Sequence, residues 1–138
     1  MEIKKVTVAG GGVLGSQIAF QAAYCGFDVT IWLRSQGSIG RTQPKLDNLR
    51  QVYIDTIEKM STPEGQTPEV WARGISEFED FDKASCLDKV EKAYSRIKLE
   101  LDMGKAVSDA DLVIESMAEN VEDKVAFYKA LAPLLPQK

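Results

Sequence analysis

The stretch VTVAGGGVLGSQIAFQAAYCGFDVTIWLRS, residues 6–35, decides the fold class of this 138-residue chain. Short β-branched and apolar residues before the glycines predict a buried strand over residues 3–9. The apolar positions after the glycines predict a helix to about Cys25, which Gly26 ends. A second strand is predicted over residues 28–33. A strand, a glycine turn, a helix and a second strand in this order are typical of a unit that binds the pyrophosphate of a dinucleotide.

The motif Gly10-x-Gly12-x-x-Gly15 gives each glycine a separate task. Gly10 permits the tight turn out of the strand, Gly12 lets the backbone approach a pyrophosphate, and Gly15 lets the helix pack closely on the strand. The helix N-terminus adds N–H donors and the positive end of the helix dipole. A purely structural glycine turn is the alternative. Because the flanking strands fall where the motif requires them, we predict a dinucleotide site that includes Gly10, Gly11, Gly12, Val13, Leu14 and Gly15.

The end of the second predicted strand bears on the choice of nucleotide. An Asp or Glu usually stands there and accepts hydrogen bonds from the ribose of NAD, but this chain has Leu33, Arg34 and Ser35. Leu33 removes a carboxylate that would repel a 2′-phosphate, and Arg34 offers that phosphate a planar charged donor, assisted by the Ser35 hydroxyl. These three residues predict NADP as the cofactor, with NAD as the alternative. Arg34 as a solvated surface charge is the competing interpretation, and Arg41 and Lys45 are further candidates for the same phosphate site.

The rest of the chain continues the alternation of strands and helices. Residues 36–43 hold two glycines and polar residues and predict a loop, after which Pro44 suits the first turn of a helix to about Met60. The later predicted elements are a loop over 61–68, an ambiguous segment over 69–82, a helix over 83–95, strands over 97–101 and 112–116, a helical turn over 103–108, and a last helix from Asn120 to about Leu134. The pattern predicts an α/β fold in one domain, residues 1–138: a Rossmann-type doubly wound parallel sheet with flanking helices and strand order 3-2-1-4.

Composition narrows the class of partner. The chain is 44% hydrophobic and 28% charged with a net charge of −4, which argues against nucleic acid or an anionic membrane as the main partner. It shows no signal-peptide pattern, and Cys25 and Cys86 are interpreted as free thiols, so we expect a cytoplasmic protein. No histidine is present. A mechanism that needs an imidazole base therefore cannot be completed within these residues.

Two stretches of the chain resemble the N-terminal NAD-binding domain of the 3-hydroxyacyl-CoA dehydrogenase family. They are VTVAGGGVLGSQIAFQAAYCGFDVTIW at the front and DADLVIESMAENVEDKVAFYKALAPLLP at the back. The resemblance implies a nicotinamide-dependent oxidoreductase of fatty acid metabolism that acts on a small β-hydroxy/β-keto acyl or acid substrate. It implies that Gly10 to Gly15 hold the pyrophosphate and that Glu119 and Lys124 lie near the nicotinamide half of the cofactor. From the residues alone, Glu119, Asn120 and Lys124 are also explained as an ordinary capped helix start.

The resemblance further implies that the family's catalytic histidine and its helical dimerisation domain are absent from these residues. We therefore expect a truncated domain that is inactive alone and belongs to a homodimer as a full-length protein, with no catalytic residue and no metal ligand here. The chain departs from the family at Leu33, which replaces the usual aspartate. It also has Leu49 and Thr56 where family members acting on CoA esters carry Ser and Lys, so a free hydroxy- or keto-acid or a diketone stays open. A stand-alone module that senses a dinucleotide without turnover is the alternative function.

Overall fold

The computed structural model describes residues 2–117 and 121–136. Within them, four parallel strands form one sheet in the order β3-β2-β1-β4. The strands are β1 Lys5–Ala9, β2 Asp28–Trp32, β3 Lys98–Glu100 and β4 Leu112–Glu115. The helices are α1 Val13–Tyr24, α2 Gln36–Met60, α3 Lys83–Arg96, α4 Met103–Val107 and α5 Val121–Leu131, with short 3-10 turns at Pro63–Gly65, Phe78–Asp80 and Ala132–Leu134. The predicted fold class and strand order are confirmed.

Side chains of β1 alternate between the two faces of the sheet, and each face is covered by helices. Val6 and Val8 are buried in a core shared with α1, α2 and α3, whereas Ala9 belongs to a second core with α4 and α5. Thr7, also buried, donates its hydroxyl to the Ala106 carbonyl at 2.6 Å. β1 pairs with β2 on one side and with β4 on the other, and β2 pairs in turn with β3, all in parallel. The sheet is therefore doubly wound, as in folds that bind ligands at the carboxyl ends of their strands.

The prediction of a loop over residues 36–43 is wrong, because these residues are the first turns of α2. The helix begins after Ser35, whose Oγ accepts a hydrogen bond from the Ser38 N–H at 3.3 Å. Thr42 is buried against the glycine turn. Pro44 consequently lies inside the helix and not in its first turn. Glycine and proline lower the local helix propensity, but the Ser35 cap and the buried contact of Thr42 with the glycine turn stabilise the helix enough to offset this effect.

The segment over residues 69–82, which the sequence leaves ambiguous, contains turns and a single 3-10 turn. Its centre is Trp71, whose ring packs edge-on against Phe78 and Phe81 with centroids 5.0 and 5.2 Å apart. Tyr24 and Gln21 of α1 tether the segment by donating to the carbonyls of residues 75 and 74 at 2.9 and 2.8 Å. Trp71 is thus a packing residue. Side-chain contacts, and not a regular helix or strand, hold this segment in place.

The other predicted elements are present with ends shifted by one or two residues, except that the last helix ends at Leu131 and continues as a 3-10 turn to Leu134. The predicted cap Asn120 lies outside the described residues. No helix in the described part of the chain is long and apolar enough to cross a bilayer.

The free edge of β4 generates a prediction about association. β4 pairs with β1, and within residues 2–117 and 121–136 no strand pairs with its other edge. An apolar edge with unpaired backbone groups favours pairing with another chain. We expect the 138-residue chain to dimerise as its concentration rises in sedimentation velocity, and Leu112→Lys to lower the dimer fraction. The control is Val52→Lys on α2, since Val52 and Leu112 are similarly exposed, at 46% and 42%. A chain that stays monomeric at millimolar concentration would contradict this expectation.

A hydrogen bond between α2 and α3 generates a prediction about pH. The Tyr94 hydroxyl donates to the Asp47 carboxylate, and this bond, followed by one from Gln43, lowers the pKa of Asp47 below its ordinary 3.8. A carboxyl group with a lowered folded-state pKa stabilises the fold above its unfolded pKa, and that stability is lost as the pH falls through the folded-state pKa. Tyr94→Phe should therefore lower the urea midpoint at pH 7 and have a shrinking effect below pH 3.8.

The matched control for this measurement is Tyr128→Phe, because the Tyr128 hydroxyl has no hydrogen-bond partner in the described parts of the chain. Tyr128→Phe should leave the urea midpoint unchanged at pH 7 and at pH 2.5. An effect of Tyr94→Phe that is equal at pH 7 and at pH 2.5 would show that packing, and not the bond to Asp47, causes the loss.

Candidate functional site

A cleft of about 300 Å³ lies where the carboxyl ends of β1, β2 and β4 meet. The sheet order reverses there, since β1 leads to β2 on one side and pairs with β4 on the other. Open α/β sheets bind ligands at this switch point. The lining residues are 10–12 of the glycine turn, 32–34 at the end of β2, Ser38, Arg41, Thr42 and Lys45 of α2, and 116–117 after β4.

The glycine turn performs two of its three predicted tasks visibly. Gly10 has a φ of +113°, and a Cβ there would stand 2.5 Å from the Ser116 carbonyl oxygen, so only glycine fits this turn. A Cβ on Gly15 would collide with the Gly10 carbonyl oxygen, which explains how closely α1 packs on the turn. A Cβ on Gly12 would meet nothing within 4 Å. The backbone is therefore open to the cleft at Gly12, and its contact with a pyrophosphate stays a prediction.

Gly11 has a packing role that the motif does not indicate. A Cβ on Gly11 would collide with Thr42 Oγ1 and would stand 2.6 Å from Leu33 Cδ2. The Gly11 carbonyl accepts hydrogen bonds from Thr42 Oγ1 at 3.0 Å and from Ser16 Oγ at 3.1 Å. The sequence carries no signal for the first of these bonds, because Thr42 falls in the segment that composition assigns to a loop.

Three basic side chains line the cleft, Arg34, Arg41 and Lys45, and among residues 2–117 and 121–136 none that lines it is acidic. Arg41 donates to Ser38 Oγ at 3.0 Å, and Lys45 Nζ donates to the Arg41 carbonyl at 3.1 Å. Arg34 is exposed and has no hydrogen-bond or ion-pair partner in the portion of the chain that the structure describes. The electrostatic character of this rim is therefore cationic, and Arg34 is the side chain with its donors uncommitted.

Leu33 and Ser35, the neighbours of Arg34, have structural roles, one in the core and one at the start of α2. Leu33 is only 3% exposed, packs in the core and lies against Gly11. Ser35 does not line the cleft, because its hydroxyl caps α2 and contacts Ser38 Oγ at 3.1 Å. Assistance from Ser35 to a bound phosphate stays a prediction, and Ser38 is the α2 serine that lines the cleft.

Val13 and Leu14 are in the first turn of α1, and both side chains are exposed. Neither lines the cleft, so any contact with a ligand there would come from the backbone of this turn. The structure does not bring their side chains together with Arg34.

Lys124 of α5 lies beside the end of β4, with its Nζ 3.6 Å from Glu115 Oε2. The other carboxylate oxygen of Glu115 accepts from the Met117 N–H at 2.7 Å, which ties this carboxylate to the segment after the strand. Lys124 is thus at the carboxyl edge of the sheet, although it is not a lining residue of the cleft. Glu119 lies outside the described residues, and the roles of both residues stay predictions.

The tyrosines with perturbed pKa values are structural. Burial raises the pKa of Tyr53 to about 12, and burial together with contact with Cys86 raises the pKa of Tyr24. The Tyr53 ring of α2 packs against Phe20 and Tyr24 of α1, and neither tyrosine lines the cleft. Among the described residues, no cluster of His, Cys, Asp or Glu is arranged to hold a metal ion.

Comparison with known proteins identifies the family. The family model for the NAD-binding domain of 3-hydroxyacyl-CoA dehydrogenase matches residues 5–138. The human protein named hydroxyacyl-coenzyme A dehydrogenase, mitochondrial, is 27% identical over 129 residues, which are 94% of this chain and 34% of that protein. A probable 3-hydroxyacyl-CoA dehydrogenase of Caenorhabditis elegans is 26% identical over 123 residues, covering 89% of this chain and 33% of that protein. The chain thus spans about a third of the length of these relatives.

Solved structures agree with this assignment. A diketoreductase that acts on dicarbonyl compounds has a TM-score of 0.74 and 33% identity, with 100% of this chain and 40% of that chain covered. The 3-hydroxybutyryl-CoA dehydrogenase of Escherichia coli has a TM-score of 0.70 over 99% of this chain and 23% of that chain, and at 24% identity it supports the fold alone. With a glycine turn at the switch point of a doubly wound sheet and a family match over nearly its whole length, the chain belongs to the 3-hydroxyacyl-CoA dehydrogenase family of oxidoreductases and represents its nicotinamide dinucleotide-binding domain.

Proposed function

We propose that this domain binds NADP(H) for an oxidoreductase that interconverts a β-hydroxy and a β-keto group. The observation that carries the proposal is the rim of the cleft beside Leu33, where Arg34, Arg41 and Lys45 lie and no described lining residue is acidic. An acid at position 33 would accept hydrogen bonds from the ribose of NAD and would repel a 2′-phosphate. Leu33 cannot accept hydrogen bonds from the ribose and does not repel a 2′-phosphate, while the neighbouring Arg34 has free donors that can bind this phosphate.

The parts of the site would divide the cofactor between them. The N–H groups of the glycine turn would hold the pyrophosphate, and the positive end of α1 would favour its charge. Arg34 would face the 2′-phosphate with two parallel N–H donors, with Arg41 and Lys45 adding positive charge. Glu119 and Lys124 would lie near the nicotinamide half. When bound, the nicotinamide supplies the hydride chemistry, while the protein binds and orients it and keeps competing groups away.

The substrate class is proposed from the relatives and from α2. Leu49 is partly buried in the core, and the Thr56 hydroxyl donates to the Val52 carbonyl of its own helix at 2.7 Å. Neither residue offers the cation or free hydroxyl that a CoA phosphate needs. The relative with 33% identity is a diketoreductase acting on dicarbonyl compounds. These observations support a free β-hydroxy or β-keto acid or a diketone, with a CoA thioester as the alternative.

The setting of the whole protein is proposed on the same basis. The free thiols Cys25 and Cys86 support a reducing compartment, for which the cytoplasm is our proposal, although the human relative is named mitochondrial. Homodimer formation by the full-length protein is proposed from the family resemblance, and no nucleic acid or membrane partner is proposed for this acidic chain.

The central test is Arg34→Ala, measured by isothermal titration with NADPH and NADH. A hydrogen bond to a charged group is worth about 1.5–3 kcal/mol, and exposure at the rim lowers that value, so the variant should weaken NADPH binding by about ten- to a hundredfold. NADH binding should stay nearly unchanged. Added salt should weaken NADPH binding more than NADH binding, because only NADPH presents the extra phosphate.

The matched control is Arg73→Ala, since Arg73 is an exposed arginine that does not line this cleft. It should leave both affinities as they are. Arg34 is a cleaner position for this test than Leu33, because Leu33 also belongs to the core. If the unmodified chain binds NADH as tightly as NADPH, or if Arg34→Ala weakens both equally, Arg34 is only a surface charge and the NADP assignment is wrong.

We expect no dehydrogenase turnover from the 138-residue chain itself. It contains no histidine, and a positioned general base contributes about 10²–10⁴-fold to such reactions, with substrate positioning contributing more. The measurement is NADPH or NADH oxidation at 340 nm (an ordinary absorbance assay) with acetoacetyl-CoA and with a 1,3-diketone. Turnover at the rate of a typical enzyme would overturn this expectation and would make Glu119→Gln the first variant to test for the base.

A further inference from the structure

The carbonyl of Gly11 faces the interior of the domain, where it accepts hydrogen bonds from two buried hydroxyls. Ser16 Oγ of α1 donates at 3.1 Å and Thr42 Oγ1 of α2 at 3.0 Å. Ser16 and Thr42 are 0% and 2% exposed, so both hydrogen bonds are buried. Two buried donors on one carbonyl set the orientation of the peptide plane between Gly11 and Gly12.

The orientation of this peptide has a consequence on the opposite side. The described peptide bonds are trans, and in a trans peptide the C=O and the following N–H point in opposite directions. With the Gly11 carbonyl held toward Ser16 and Thr42, the Gly12 N–H points away from them. Gly12 lines the cleft, a Cβ on it would meet nothing within 4 Å, and its N–H has no acceptor within the described parts of the chain. The N–H is therefore a free donor aimed out of the protein.

Thr42 differs from Ser16 in how it reaches the turn. Ser16 is five residues from Gly11, whereas Thr42 is 31 residues away and arrives on α2. A threonine inside a helix commonly donates to a carbonyl of its own preceding turn, but Thr42 donates across to Gly11. The same turn of α2 carries Arg41 and Lys45 into the cleft. One hydrogen bond thus couples the glycine turn to the helix that bears the cations.

We infer that Thr42 is a positioning residue for the cofactor pyrophosphate, because it holds the Gly11–Gly12 peptide with its N–H toward the cleft. This inference rests on the proposed function, since it requires a dinucleotide in this cleft. Without the threonine hydroxyl, only Ser16 Oγ still donates to the Gly11 carbonyl, so the peptide is less firmly held and the Gly12 N–H is less well prearranged for a negatively charged oxygen. The 2′-phosphate contact at Arg34 does not depend on that peptide.

The test compares Thr42→Val, which keeps the shape and removes the hydroxyl, with Thr42→Ser, which keeps the hydroxyl. The probes are ADP, which carries a pyrophosphate, and 2′-AMP, which carries only the 2′-phosphate. In titrations with the 138-residue chain, Thr42→Val should weaken ADP and NADPH binding by about three- to tenfold and leave 2′-AMP binding within about twofold, a change below the energy of one hydrogen bond. Thr42→Ser should restore ADP binding.

Three results would overturn the inference: ADP affinity unchanged in Thr42→Val, equal losses in the valine and serine variants, or equal losses of ADP and 2′-AMP. If Thr42→Val does not fold, Ser16→Ala decides, since it removes the other donor to the same carbonyl. In ¹⁵N-labelled Ser16→Ala, the amide resonance of Gly12 should move. The affinity of this variant for ADP should fall, while its affinity for 2′-AMP should stay the same. The inference is overturned if the Gly12 resonance or the ADP affinity does not change. Binding of 2′-AMP no tighter than 5′-AMP, with the ADP effects intact, would instead sink the NADP proposal alone.

Discussion

The glycine turn lies so close to the segments after β4 and β2 and to the start of α2 that residues 10 and 11 have no room for a side chain, and the site depends on that close approach. A Cβ on Gly10 would press on the Ser116 carbonyl after β4, and a Cβ on Gly11 would press on Leu33 and Thr42. The turn therefore touches the segments that follow β4 and β2 and the start of α2 at the same time. Because protein interiors are close-packed, even one methyl group here would force these segments apart. The segments that form the walls of the cleft can approach one another closely because Gly10 and Gly11 have no side chains.

Charge around the cleft follows from the same arrangement. The side chain of Leu33 turns into the core beside Gly11, so the end of β2 presents no polar group to the ribose at that position. Arg34 is next in the chain and points to the open side, where it has no partner among the described residues. Family membership is established by the match over residues 5–138, whereas the proposed preference for NADP rests on these few side chains. The fold and the proposed specificity thus have separate physical origins in one cleft.

Helix α2 is the element on which sequence reasoning was least successful. Two glycines and several polar residues led to the prediction of a loop over residues 36–43, with Pro44 in the first turn of the helix that follows. In the structure, the Ser35 cap, the buried Thr42 and the Tyr94–Asp47 hydrogen bond to α3 hold the helix in place. Arg41, Thr42 and Lys45 consequently face the cleft as members of one helical surface. A loop with the same residues would not bring them into register with the turn.

The sequence by itself determined the alternation of strands and helices and the position of the glycine turn, because each depends on patterns within short stretches. The strand order and the family followed from how these elements succeed one another along the chain. Hydrophobic period, glycine spacing and turn residues act over a few neighbours, and β1, α1 and β2 appear where these patterns predict them. Only the tertiary structure decided that Thr42 meets Gly11 across 31 residues, that Ser35 serves as a helix cap and that Leu33 belongs to the core. Such contacts arise when the sheet places the start of α2 beside the turn. The hydrophobic pattern of a single element does not predict the contact of Thr42 with Gly11, because that contact depends on how whole elements pack together.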